Sequence, residues 1–191
     1  DNELFGAAEV EDSRPEWARK THYALYTGNI GQVNNSGLLL EAARRLRERG
    51  VEDLHLVLIG DGQLKSALQQ RAASYNLSNL HFLDLMPKRQ LVPWVQGALC
   101  SLVPLKGTPI LDTSSPNKLF DSLAAGVPVI QTTQGWIRDF LEKEGCGFTI
   151  DADDAQGLVE KLFFLRDQPE SRELMAAKAR ELSRRVFDRT V

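Results

Sequence analysis

The sequence predicts an α/β domain: a doubly wound parallel sheet of about six strands with helices on both faces. Three observations carry that prediction. Short apolar runs alternate with amphipathic stretches from residue 21 onward. Glycine-bearing turns close the first two runs, at Gly28 and Gly60. The run Leu54-His55-Leu56-Val57-Leu58-Ile59 has almost no polar face, as a strand covered on both sides requires.

The elements follow in order. Residues 1–20 are polar, with Pro15 and several acids, and read as a linker or loosely attached arm. Tyr23 to Thr27 reads as a strand ending at Gly28. Ser36 to Arg49 places Leu38, Leu39, Ala42, Ala43 and Leu46 on one helical face, and Gly50 ends it. Leu54 to Ile59 is a strand and Leu64 to Tyr75 a helix. Leu80 to Leu85 is a strand, and Lys88 to Val95 a short helix carrying Pro93. Ala98 to Leu105 is a strand, and Lys106 to Ser115 an irregular loop. Pro116 to Ala125 is a helix, with Ser115 as its expected N-cap and Gly126 past its end. Val127 to Thr132 and Phe148 to Asp151 are strands on either side of a helix over Trp136 to Lys143. Helices fill 155–167 and 169–188. Right-handed crossovers make such a chain Rossmann-like, with ligands bound outside the carboxyl ends of the strands.

Composition narrows the function. A chain of 191 residues suits one domain and buries roughly 70% of its unfolded surface, so it needs no disulfide or metal staple. The net charge of −3, with signs interspersed, leaves no basic footprint for nucleic acid. Cys100 and Cys146 sit in separate apolar contexts and read as buried thiols of a reducing cytoplasm. His22, His55 and His81 lack metal-ligand spacing; His55 and His81 read as strand-surface residues.

Three segments at the predicted carboxyl edge carry chemistry. Thr27-Gly28-Asn29-Ile30-Gly31 allows close backbone approach to a phosphate, although a tight strand-to-helix turn explains it equally. It lacks the spacing of the dinucleotide fingerprint, and no Walker A motif exists. Gly60-Asp61-Gly62 suggests a ligand-facing loop, or a turn in which Asp61 caps the next helix. The third is Ser114-Ser115-Pro116-Asn117-Lys118-Leu119-Phe120-Asp121. Lys118 falls in a first helical turn, where a cation opposes the helix dipole by roughly 0.3–1 kcal/mol. A bound anion reverses that penalty; a weak pair with Asp121 is the plainer alternative.

From residue 21 the chain resembles the C-terminal donor domain of glycosyltransferase family 4, the group 1 enzymes of GT-B architecture. Pro116-Asn117-Lys118-Leu119-Phe120-Asp121 running into Ala124-Ala125-Gly126-Val127-Pro128-Val129-Ile130 is similar to that family's signature helix. Tyr26 to Gly31 and Ile59 to Gly62 fall where the family places its other loops, and Asp1 to Phe5 is similar to the lead out of an N-terminal domain. The variant with Gly-Asn-Ile-Gly and Ser-Pro-Asn-Lys most resembles transferases of bacterial surface polysaccharides. The resemblance implies a nucleoside-diphosphate sugar as substrate, a UDP-sugar favoured, and transfer with retention of a hexosyl or N-acetylhexosaminyl unit. It implies a glycan or lipid-linked acceptor, presented by an N-terminal domain absent from this chain. It also implies a cytoplasmic place, at the inner membrane face for the longer protein. No acidic metal cluster such as Asp-x-Asp is read, so no obligate metal and no cofactor are expected.

Residue roles follow from the same resemblance. Asp121 takes the place of the second Glu of Glu-x7-Glu, which binds ribose hydroxyls; the first Glu falls at Thr113, beside Asp112. Arg and Lys that pair with the diphosphate are replaced by Asn29 and Asn34. Lys118 becomes the candidate cation, aided by N–H groups of Ser115 to Asn117. Leu85, Met86 and Leu91 lie where the base-binding segment passes. The donor set is thus Gly28, Asn29, Gly31, Asn34, Gly60, Asp61, Gly62, Leu85, Met86, Leu91, Ser114, Ser115, Asn117, Lys118, Leu119 and Asp121, with no catalytic residue assigned. Alternatives stay open: a stand-alone donor-binding subunit, a GT-B-shaped nucleotide-sugar epimerase, or a regulatory Rossmann-like domain. The reading frame upstream separates the first from a fragment, which alone is expected to be inactive.

Overall fold

The computed structural model describes residues 2–7 and 11–186. Six parallel strands lie in the order β3-β2-β1-β4-β5-β6: β1 His22–Thr27, β2 Leu54–Ile59, β3 Leu80–Leu83, β4 Cys100–Val103, β5 Val129–Gln131 and β6 Gly147–Thr149. The order reverses between β1 and β4, the point at which doubly wound sheets bind ligands. The register of β1 on β2 runs from His22 opposite Leu54 to Thr27 opposite Ile59.

The helices are α1 Asn2–Phe5, α2 Glu16–Lys20, α3 Ser36–Glu48, α4 Lys65–Ser74, α5 Lys88–Gln96, α6 Asn117–Ala124, α7 Trp136–Glu144, α8 Ala155–Asp167 and α9 Pro169–Val186. On one side of the sheet, Leu39, Ala43 and Leu46 of α3 bury against Leu56 and Leu58, joined by Leu158 and Leu162 of α8. On the other, Val92 and Val95 of α5 pack with Leu25, Val57 and Ala124. A third cluster joins Leu119 and Leu123 of α6 to Ile137, Leu141 and Leu182. β4 stops at Val103, short of the expected Leu105, because Pro104 has no N–H to continue a ladder. The remainder of the helix expected to Asp188 lies outside the described residues.

The first twenty residues correct the expectation of a loose arm, although residues 1 and 8–10 lie outside the described set. Phe5 is fully buried beside Val92, Val95, Ala124 and Val127. Gln96 Nε2 donates to the carbonyls of Phe5 and Ala7, both at 2.9 Å. Ala18 is buried, and Trp17 stacks on His81 with ring centroids 4.1 Å apart. The two histidines are therefore not strand-surface residues. They are half-buried under Trp17, and His55 Nδ1 meets His81 Nε2 at 2.8 Å.

That pair predicts a pH dependence. Burial and then the neighbouring His55 hold His81 down from its ordinary 6.5 to about 4. Its native form stays neutral while the unfolded chain takes up a proton near 6.5, so stability falls as pH drops from 6.5 towards 4. Thermal melts from pH 7.5 to 4.5 should show this slope, and His81→Gln should flatten it. An unaltered slope in the variant assigns the loss to other groups. Cys100 and Cys146 are both buried thiols, as expected.

Candidate functional site

The first two loops are pressed together backbone to backbone. Gly28 N donates to Ile59 O at 2.9 Å, Ile30 N to Asp61 O at 2.8 Å, and Leu64 N to Ile30 O at 3.0 Å. Gly28 has φ +118°, open to glycine but costly for other residues. A Cβ at Gly60 would lie 1.9 Å from the carbonyl oxygen of Gly28. One at Gly62 would lie 2.5 Å from the carbonyl oxygen of Ile30. These glycines are needed for contact between loops as much as for any ligand. Asp61 does not cap α4: its Oδ1 accepts from Gly62 N at 2.8 Å, and the N-cap position is Leu64. Asn29 is exposed with its amide folded towards Gly31, and half-buried Asn34 donates its N–H to Gly31 O at 3.2 Å.

The third segment faces this pair of loops. Pro116, not Ser115, holds the N-cap position of α6, and no side chain caps it. Among the described residues the N–H groups of Asn117 and Lys118 meet no acceptor, while Leu119 N donates to Pro116 O at 3.0 Å. Free N–H groups at a helix start favour an anion. Ser114 is held from behind, its carbonyl accepting from Trp136 Nε1 at 2.9 Å.

Lys118 is the centre of the arrangement. Its Nζ lies 3.9 Å from the ring centroid of Tyr26. It also lies 3.4 Å from where a Cβ on Gly28 would sit, an ordinary van der Waals distance, so it packs over the bare face of that glycine. It forms no ion pair among the described residues, with Asp121 or any other carboxylate. Burial lowers its pKa from 10.5 to about 8. Tyr26 was absent from the predicted set, yet it supports Lys118 and donates its hydroxyl to Asn29 O at 2.6 Å. The available signal was an aromatic hydroxyl one residue before a strand end closed by glycine.

Asp121 is half-buried one turn along α6, where burial raises its pKa and the Lys88 charge opposes the rise. Ser122 Oγ lies 2.7 Å from Ser101 Oγ and 2.6 Å from Lys118 O, fixing α6 on β4. The loop before α6 contains a 3-10 turn, Pro109–Thr113, where none was expected. Its Thr113 is exposed, and Asp112 Oδ1 accepts from Gln134 N at 2.9 Å. Asp112 is thus engaged in tying the turn to the start of α7.

One predicted donor contact needs correction. Leu119 is fully buried in the cluster with Val103, Leu123 and Ile137, so its side chain belongs to the core. Leu91, with Met86, is half-buried against the cluster that holds Phe5 and Trp94. Leu85 instead is 70% exposed at the β3 exit. The structure brings together Gly28, Asn29, Gly31, Gly60, Gly62 and Lys118. The β3 exit that leads to Leu85 and Met86 is tied to the second loop at Leu83, whose O accepts from Gly60 N at 3.1 Å. An Asp-x-Asp does occur, at Asp151-Ala152-Asp153, with Ala152 O accepting from Asn35 Nδ2 at 2.6 Å. No group of three or more His, Cys, Asp or Glu among the described residues could hold a metal ion.

A family model described as glycosyl transferases group 1 matches residues 21–167. The chain belongs to the group 1 glycosyltransferases. Within this family it is 32% identical over 112 residues to a protein described as a colanic acid biosynthesis glycosyl transferase, WcaI of Escherichia coli. That match covers 59% of this chain and 26% of WcaI. The chain spans less than half the length of the curated relatives it matches. Among solved structures, the C-terminal domain of the group 1 glycosyl transferase LpcC of Francisella tularensis superposes with a TM-score of 0.78 at 17% identity, covering 98% of this chain and 97% of that one. Anabaena HepE, solved with UDP and glucose, superposes with a TM-score of 0.77 at 13% identity over 98% of this chain and 51% of HepE. The glycosyltransferase domain is therefore one doubly wound half of a GT-B fold. None of its described helices is long and apolar enough to cross a membrane.

Proposed function

We propose that this domain binds the nucleoside diphosphate of a sugar donor, with UDP favoured, between the β1 and β2 loops and the start of α6. In the longer protein it would serve transfer of a hexosyl or N-acetylhexosaminyl unit, with retention, to a glycan or lipid-linked acceptor held by a second domain. The supporting observation is Lys118: a half-buried cation without a carboxylate partner among the described residues, aimed at glycine backbone beside two free helix N–H groups. A diphosphate supplies the missing charge, and fixed donors there stabilise it as it leaves. Water exclusion and acceptor placement fall to the second domain, so the isolated domain should bind without turning over. The inner membrane face suits a lipid-linked acceptor.

The ribose role of Asp121 tests this reading. Asp121→Ala should weaken UDP by roughly 1.5–3 kcal/mol, about ten- to a hundredfold. A 2′,3′-dideoxy nucleotide should bind the wild type poorly and scarcely notice the change. Because burial raises the Asp121 pKa, its acceptor form is lost on acidification sooner than an ordinary aspartate's, and wild-type affinity should fall accordingly. Amide shift mapping of UDP should mark residues 28–34, 60–62, 85–91 and 114–121. Shifts scattered elsewhere, or equal losses for ribose and dideoxy ligands, would count against the assignment.

A further inference from the structure

Lys65 is a lysine on the buried stripe of α4. The buried side chains of α4 are Lys65, Leu68 and Ala72, so the ammonium replaces an apolar group on the stripe that faces the sheet. Lys65 is 9% exposed. Its Nζ donates to Gly60 O at 2.8 Å, to Leu83 O at 3.3 Å and to Asp84 Oδ1 at 2.7 Å. A buried ammonium is costly unless its protons are all taken, and here three oxygens take them. Asp84 itself is almost fully exposed, and its pKa is lowered by the hydrogen bond and charge of Lys65.

Those three oxygens belong to two strand exits. Gly60 leads β2 into the loop that touches Gly28, and Leu83 and Asp84 lead β3 into Leu85 and Met86. β3 is an edge strand, and beyond Leu83 no strand pairing fixes the chain. The clasp by Lys65 continues the β2–β3 connection past the end of the ladder.

We infer that Lys65, with Asp84, is a positioning residue that sets where the β3 exit presents Leu85 and Met86 to the nucleoside of the donor. The inference rests on the donor-site reading above. Lys65 lies behind the loops, so it acts through backbone geometry and not by charge on the diphosphate.

The test compares UDP with uridine by titration, together with melting curves and amide spectra. Asp84→Asn removes the carboxylate from an exposed position and should leave the melting temperature near that of the wild type. It should shift the amides of Leu83 to Met86 and weaken UDP and uridine alike, about three- to tenfold. Lys65→Met should weaken both further, and Lys65→Arg should restore most of the loss. A loss confined to UDP would overturn positioning in favour of a direct charge effect. Unchanged affinities in folded variants would overturn it in favour of a purely structural role. A wild-type domain that binds neither ligand would instead reject the donor-site reading, and this inference with it.

Discussion

Lys118→Ala should bind UDP ten- to a hundredfold more weakly than the wild type, a loss of roughly 1.5–3 kcal/mol for a charge-assisted contact. Uridine should bind both proteins alike. The same residue predicts a pH profile. Burial holds the free ammonium at about 8, and a diphosphate favours the charged form, so binding draws a proton onto Lys118 above that value. Wild-type affinity should therefore decline as pH rises from 7 to 10, and Lys118→Ala should remove that decline. Salt should weaken the wild type more than the variant. Melting of the free domain should move little: relief of an unfavourable cation at a helix start opposes loss of its seat over Tyr26. Unchanged UDP affinity would move the search for the cation to Lys106, exposed on the loop whose N–H meets Val33 O at 3.0 Å.

The largest structural effect is expected from Gly60→Ala. The added methyl would meet the Gly28 carbonyl carbon at 2.9 Å and its oxygen at 1.9 Å. Both are backbone atoms, so the two loops must part. The cost should reach roughly 3 kcal/mol or more, which lowers the melting temperature by about 6–12 °C in a domain of this size. UDP binding should fall with it, because Gly28 also lines the Lys118 pocket. Gly37→Ala is the control. Beyond its chain neighbours and its own helix backbone, nothing lies within 4 Å of its added methyl, and it sits in α3, so it should stabilise by roughly 0.5–1 kcal/mol. Equal melting temperatures for the two variants would mean that the loops are not in contact.

Much of this architecture was legible because periodicity and glycine turns are local signals. The strand Leu54–Ile59 was read with its observed bounds, and α4 was displaced by only one residue at each end. The candidate loops were marked through motif resemblance. What escaped depends on contacts distant in sequence. Phe5 lies in a four-residue helix, too short to show a period, and its burial is decided by α5 and α6. Lys65 drew no reading from the sequence, because its burial is set by the match of the α4 stripe to the β3 exit. Ser115 had the chemistry of an N-cap, but the chain enters α6 with Pro116 in that place. Asp112 stood beside Thr113 with no role assigned, and Gln134, far along the chain, donates its N–H to that carboxylate.

The strand order has a consequence for how the domain comes apart. Residues 22–83 build β1, β2 and β3 as one continuous stretch, and residues 100–149 build β4, β5 and β6 as another. Where the stretches join, β1 and β4 share only the register Ala24 opposite Cys100 and Leu25 opposite Ser101. Among the described residues this seam is the shortest pairing in the sheet and the only one between strands far apart in sequence, so parting the two stretches breaks fewer ladder bonds than parting any other pair of strands. Lys118 over Tyr26 crosses it. A ligand gripped by Gly28 on one bank and α6 on the other would act as a staple between two folding units, and its binding energy would appear as protection of the seam from hydrogen exchange.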